Sequence, residues 1–325
     1  MINSNGRWRR ALWTAAKVIV VGAALFFVGN VLVENWPDVR DGWRAPRPLA
    51  AAAATAVLFA SYVFLYKLSL AVLRRVGYSL SFRAGLKPFF YTLLGRYVPG
   101  RFAVVVGKIY LYERRGVPRL AAALAVTYEN VFAAVGGVAA ALALAAVLLT
   151  DAFSWPALGF GAAAVSALAI LIQPAVLARL LAWPLKKMRL GKFGPAMLIG
   201  RGGSLAFALG YAAYCVLLGF FFALFAAAFV PLDFGAAVNA GAAYVAAAVL
   251  GYVAVIAPSG LGVREGLLVL LLRRYMPAGE AAFLAVASRL AAVAAELILA
   301  SAAAAVGSGA PARAVRRPND GPSTP

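Results

Sequence analysis

The chain has 325 residues, of which 64% are apolar and only 13% charged, with a mean hydropathy of +0.87. A soluble domain carries about 25% charged residues, and a soluble core of this length could not hide so much apolar surface, so the composition excludes a water-soluble enzyme. The net charge of +20 and pI near 10.7 would suggest nucleic acid in a soluble protein, but here the basic residues sit between apolar runs, which excludes that partner and assigns them to cytoplasmic loops and anionic lipid headgroups.

Arg7, Arg9, Arg10 and Lys17 precede or open the first apolar run and place the N-terminus in the cytoplasm. The run predicts a retained helix over residues 12–33, too long for the core of a signal peptide. Residues 34–48 mix acids and bases with three prolines and read as an external loop. A second helix over residues 49–73 ends at Arg74-Arg75, inside.

The next segment is different. Residues 82–98 predict a short helix carrying Arg83, Lys87 and Arg96, which breaks at Pro99-Gly100 and resumes over residues 102–111. Glu113, Arg114, Arg115 and Arg119 follow, so basic residues flank both ends. This argues for a re-entrant hairpin from the cytoplasm, with an amphipathic helix lying in the interface as the alternative. Tyr91, Tyr97, Tyr110 and Tyr112 gather near this segment as interface anchors or headgroup hydroxyls.

A third helix follows over residues 120–149, then an external turn at Asp151 and Trp155-Pro156, then a fourth helix over residues 157–181. Lys186, Lys187, Arg189, Lys192 and Arg201 form the strongest basic loop, facing inside. A fifth helix over residues 204–230 leads to Asp233, outside. Residues 236–272 break at Pro258-Ser259-Gly260. They either cross over residues 236–256 or dip in from outside and return through residues 267–272. The second reading is preferred because it keeps the basic tail of Arg313, Arg316 and Arg317 inside, though it places Arg273-Arg274 outside. The closing helix covers residues 281–305. The expected fold is therefore an all-α integral membrane protein with six crossings and two broken re-entrant hairpins. Residues 1–310 form one polytopic domain, and residues 311–325 a disordered cytoplasmic tail.

The two broken segments align at an offset of about 160 residues, the kind of internal symmetry found in many secondary transporters. Pro99-Gly100 falls opposite Pro258 to Gly260, and Ala122-Leu124-Ala125-Val126 opposite Ala282-Leu284-Ala285-Val286. The repeats, residues 1–155 and 156–310, are related by inversion, because the second helix enters the cytoplasm and the fifth leaves it. The offset also sets Glu129 opposite Arg289, each about 15 Å deep in its helix by a 1.5 Å rise per residue. An ionised group there is costly alone, so these two are expected to pair near the midplane. Glu296, two turns beyond Arg289, completes that network or neutralises Arg101 or Lys108.

Proline and glycine at a break free backbone N–H groups that attract anions, phosphate above all. Arg96 and Arg101 bracket the first break, and Arg264 follows the second. A guanidinium holds phosphate with two hydrogen bonds. The candidate headgroup-binding set is Arg96, Tyr97, Pro99, Gly100, Arg101, Lys108, Ser259, Gly260, Arg264 and Glu265, and the buried charge network is Glu129, Arg289 and Glu296. A phospholipid or a polyprenyl phosphate fits such a site. The bland counterpart is that these residues only scaffold the hairpins. The chain has no histidine and one cysteine, Cys215, which reads as a small buried hydrophobe; no metal site, cofactor or catalytic residue is expected.

The residues Gly95-Arg96-Tyr97-Val98-Pro99-Gly100, Arg115-Gly116-Val117, Glu129, Pro258-Ser259-Gly260-Leu261-Gly262-Val263-Arg264-Glu265-Gly266, Arg289 and Glu296 together resemble the lysylphosphatidylglycerol synthase transmembrane region family of bacterial inner-membrane proteins. Position 259 is serine where that family commonly has glycine. The resemblance implies a lipid flippase; in fused relatives the module moves aminoacylated phosphatidylglycerol outward. It implies no lysyltransferase activity here, because the soluble synthase domain is not expected after the membrane part. A homodimer or a separate partner synthase is compatible with it. The competing readings are a membrane enzyme acting on a lipid phosphate, with Glu129 or Glu265 as general base, and a non-catalytic membrane scaffold. No phosphate-binding loop of the G-x-x-x-x-G-K type is present, so this chain alone cannot drive transport with ATP.

Overall fold

The computed structural model describes residues 46–97, 102–149, 159, 173–187, 197–253, 263–306 and 311–314. The helix predicted over residues 12–33, both break tips and most of residues 157–173 lie outside these. Nine helices stand among the described residues. They are α1 (Pro48–Val76), α2 (Phe82–Leu93), α3 (Phe102–Glu113), α4 (Arg119–Leu149), α5 (Pro174–Lys187), α6 (Arg201–Phe229), α7 (Phe234–Val253), α8 (Val263–Leu272) and α9 (Ala278–Ala305). Five of them, α1, α4, α6, α7 and α9, are long and apolar enough to cross a membrane. The chain is thus an all-α, multi-pass membrane protein.

Local chemistry explains the boundaries. Pro48 opens α1, where its missing N–H costs nothing, and Gly77 closes it at φ 110°, donating to Arg74 and Leu73 carbonyls. Ser81 caps α2 by accepting from the Ala84 N–H. Pro88 inside α2 cannot donate, and a turn of 3-10 helix, Leu94–Tyr97, tightens the helix toward the break. Gly116, at φ 85°, makes the left-handed turn between α3 and α4. Asp233 caps α7, its carboxylate accepting from the Ala236 N–H at 2.7 Å. In the region of the helix predicted over residues 157–181, the described helix starts at Pro174, after a bend at Gln173, and runs to Lys187.

Direction follows from the contacts at the helix ends. The Arg47 N–H donates to the Ala228 carbonyl at 2.8 Å, so α1 and α6 pack antiparallel. Tyr78–Ser79 (β1) pairs antiparallel with Arg313–Ala314 (β2), and the Ala312 N–H donates to the Arg115 carbonyl at 2.7 Å. Both ends of the α2–α3 segment therefore meet the same short piece of chain after α9. Residues 312–314 pair by their backbone with β1 and with the α3–α4 turn, within the stretch expected as a tail. At the other end of the bundle Phe229 meets Phe283, ring centroids 5.1 Å apart, so the start of α7 and the end of α8 come to one end too.

The first arm of the second broken segment, α7, is a 20-residue helix of crossing length, about 30 Å. Its partner arm α8 has 10 residues, against 12 and 12 in α2 and α3. Alanine and glycine allow the long helices to approach closely. A Cβ on Gly136 of α4 would meet the Ala208 carbonyl oxygen of α6 at 2.5 Å, and one on Gly241 of α7 would meet the Gly219 carbonyl oxygen at the same distance. Two apolar cores result, one built on α1, α6, α7 and α9 around Phe221, Phe222 and Tyr244, the other on α1, α3, α4 and α6 around Tyr112, Tyr128 and Phe132.

Candidate functional site

A cavity of about 290 Å³ is lined by residues of α1 to α4 and α6 to α9. It is large enough for several waters or one compact headgroup. Most of its wall is apolar, yet Arg96, Lys108, Glu129, Arg264 and Arg289 all face it. These residues come from both broken segments and from the long helix that follows each.

The first charge cluster joins α3 to α4. The Lys108 ammonium donates to the Glu129 carboxylate and to Ser69 Oγ, the latter at 3.0 Å. Ser69 Oγ in turn donates to Glu129 Oε1 at 2.9 Å and lies 3.1 Å from the Tyr112 hydroxyl. The ammonium also sits 4.6 Å from the centre of the Phe89 ring. A lysine at this depth is tolerated because a carboxylate, a hydroxyl and a ring face all serve it.

The second cluster joins α8 to α9, where Arg289 Nη1 lies 3.6 Å from Glu265 Oε1. The third ties the tip of the first broken segment to the last helix. Arg96 pairs with Glu296, which is 0% exposed, and the Tyr62 hydroxyl donates to the same carboxylate. Arg96 Nη2 also donates to the Tyr62 hydroxyl at 3.3 Å.

These contacts overturn the expected Glu129–Arg289 pair. Glu129 is held by Lys108 and Ser69, and Arg289 by Glu265. Each of the two finds its counter-charge on the short helix before its own, Glu129 on α3 and Arg289 on α8. Glu296 neutralises Arg96 and not Lys108. Of the other predicted residues, Tyr97 ends the 3-10 turn, while Pro99, Gly100, Arg101, Ser259 and Gly260 lie outside the described residues.

Arg264 is held differently. Its guanidinium lies over the Tyr244 ring, 4.5 Å from the centroid, and Tyr244 stacks on Phe222 at 4.6 Å. Sequence reasoning missed the polar wall supplied by α6 and α7. Tyr211, Tyr214 and Cys215 share one face of α6, and the Tyr252 hydroxyl donates to Asn130 Oδ1 at 3.2 Å. The signal was present as tyrosines at helical spacing inside an otherwise apolar run. Cys215 was read as a buried hydrophobe, but its thiol side chain lines the cavity. No group of three or more potential metal ligands exists among the described residues.

No curated protein matches the chain. Residues 14–300 match the family described as the Lysylphosphatidylglycerol synthase TM region, which is the membrane part of such proteins and not their catalytic synthase part. The match runs through every element that lines the cavity, and with all of them inside it this chain belongs to the lysylphosphatidylglycerol synthase TM region family.

Proposed function

We propose that this protein is a lipid flippase that carries an anionic headgroup across the cytoplasmic membrane through its central cavity. The observation that supports this most is the convergence of Arg96, Lys108, Arg264 and Arg289 on one apolar-walled space. Three of the four are paired with carboxylates, yet desolvating so many charged groups in one place is still costly. A fold bears that cost most readily where an anionic ligand offsets it. Apolar walls suit acyl chains at the margin of a polar path, and arginine forks suit phosphate.

In this reading the halves form an inverted repeat. The order long helix, two arms joined at a break, long helix occurs twice, as α1 to α4 and α6 to α9, with α1 and α6 antiparallel and α7 the longest of the four arms. Lys108–Glu129 and Glu265–Arg289 occupy equivalent places with their signs exchanged. The α2–α3 segment dips in from the cytoplasm and the α7–α8 segment from outside, with both chain termini cytoplasmic. Glu129 and Glu265, the candidate bases of the enzymatic alternative, are each engaged by a cation, a poor state for proton abstraction.

The test is flipping by the purified protein in vesicles holding a fluorescent phosphatidylglycerol analogue, with a membrane-impermeant quencher reading its movement. The protein is expected to accelerate exchange, and Arg264→Gln to slow it about ten- to a hundredfold, the equivalent of roughly 1.5–3 kcal/mol of charge-assisted hydrogen bonding. Exchange no faster than in protein-free vesicles overturns the reading. Cys215 provides a second readout, since bound lipid should protect its thiol from a small alkylating reagent.

A further inference from the structure

The α2–α3 segment joins the long helices through two junctions. Residues 77–81 lead into it from α1, and residues 114–118 lead out of it to α4. One short piece of chain after α9 bonds to both. Ala314 and Arg313 pair with Tyr78 and Ser79, the Ser79 hydroxyl donates to the Arg313 carbonyl at 3.4 Å, and the Ala312 N–H donates to the Arg115 carbonyl at 2.7 Å. Gly116 belongs to the same contact: at φ 85° it turns the chain so that a Cβ there would stand 4.0 Å from the Ala312 nitrogen.

From this we infer that residues 312–314 are a strap that restrains the α2–α3 segment, and that it must leave its two junctions for the segment to move during transport. The transport step rests on the flippase reading; the restraint itself does not. The segment carries Arg96 and Lys108 to the cavity, so a tie at its two ends helps to fix two of the cavity's cations. Because one strap reaches both junctions, neither can shift away from the other while it is bound.

The strap is built to release. Its hydrogen bonds among the described residues are made by its own backbone groups, and such bonds contribute little net where water competes for them. The ladder is only two residues long. Arg313 is exposed, and Ala312 offers the apolar core a single methyl group. A permanent tie would use large buried side chains. Tyr112 and Val117 do this at the neighbouring end of α3, where they are 1% and 2% exposed.

The test locks and releases the strap in the full-length protein. In a Cys215→Ser background, Ser79→Cys with Arg313→Cys puts two thiols on directly paired residues, within reach of a disulfide. Tyr78→Cys with Arg313→Cys is the control, because neighbouring residues of a strand point to opposite faces. The first pair should oxidise faster than the second. In vesicles holding the fluorescent phosphatidylglycerol analogue, the oxidised first pair should flip lipid more slowly than the same protein after reduction. Ala312→Pro removes the donor to Arg115. It should speed amide hydrogen exchange over residues 82–97 and 102–113 about five- to thirtyfold, the equivalent of one or two net hydrogen bonds. Arg313→Ala keeps the backbone and should leave that exchange unchanged. Equal oxidation of the two pairs, or equal flipping before and after reduction, overturns the inference while leaving a flippase intact. Unaltered hydrogen exchange in Ala312→Pro overturns the restraint even where flipping is normal. Should no form of the protein flip lipid, the flippase reading falls and with it the transport step, and hydrogen exchange in the two arms decides the restraint.

Discussion

Glu129 illustrates how a buried charge is made tolerable. It touches Lys108 on α3 and Ser69 on α1, so one carboxylate ties three helices together. Removing either member of a buried pair typically costs about 3–5 kcal/mol, because it strands the other in low dielectric. Lys108→Met and Glu129→Gln should therefore each lower the melting temperature in detergent, and the double variant should lose clearly less than the sum of the two. A coupling energy within about 0.5 kcal/mol of zero would remove the pair from the account. The same cycle on Glu129 and Arg289 should yield the smaller coupling, since each has a different partner.

At the scale of elements, backbone proximity decides how tightly the long helices cross. α4 and α6 meet at Gly136, where an added Cβ would strike the Ala208 carbonyl oxygen at 2.5 Å and the Ala212 nitrogen at 2.8 Å. Backbone cannot swing aside as a side chain does, so Gly136→Ala must push two helices apart. Overpacking of this kind costs about 1–3 kcal/mol. The expected result is a lower melting temperature for Gly136→Ala and none of that loss for Gly202→Ala, where nothing lies within 4 Å. Equal behaviour of the two would show that the crossing has slack. The shorter arms α2, α3 and α8, of 10 to 12 residues, add charged tethers such as Arg96 on Glu296, whereas α7 packs closely on α6 at Gly241. The fold thus sets short, charge-tethered pieces against a frame of close-packed long helices.

For the whole molecule, the contacts at the helix ends make a topological statement. β1, the α3–α4 turn and residues 312–314 meet at one end of the bundle, and Phe229 meets Phe283 at the other. α9, 28 residues long, separates Arg313 from the Arg273-Arg274 turn. In a Cys215→Ser background, Arg274→Cys should react with a membrane-impermeant maleimide in intact cells, and Arg313→Cys only after permeabilisation. Reaction of both from the same side would contradict the inverted arrangement. Arg74, Arg75, Arg114 and Arg115 stand near the end that carries β1 and β2, and this basic cluster is the reason the labelling is expected to find that end on the cytoplasmic side.

Composition and local pattern alone determined that this chain is a helical membrane protein, where α1, α4, α6 and α9 lie to within about three residues, and that the charges inside apolar runs are special. These are local matters. A bilayer obliges each segment to satisfy its own backbone, and proline, glycine and basic residues mark where that stops. The repeat offset sets Glu129 opposite Arg289, but equivalence in sequence is not contact in space. Only the packing shows that each member turns to its own half, Glu129 to Lys108 and Arg289 to Glu265. Tyr244 beneath Arg264, Tyr62 on Glu296, and the tyrosines and thiol of α6 facing the cavity were equally hidden. Their partners are far away in the sequence, and which side chains meet depends on how the helices cross, a choice made by close backbone approach at residues such as Gly136, Gly241 and Gly251.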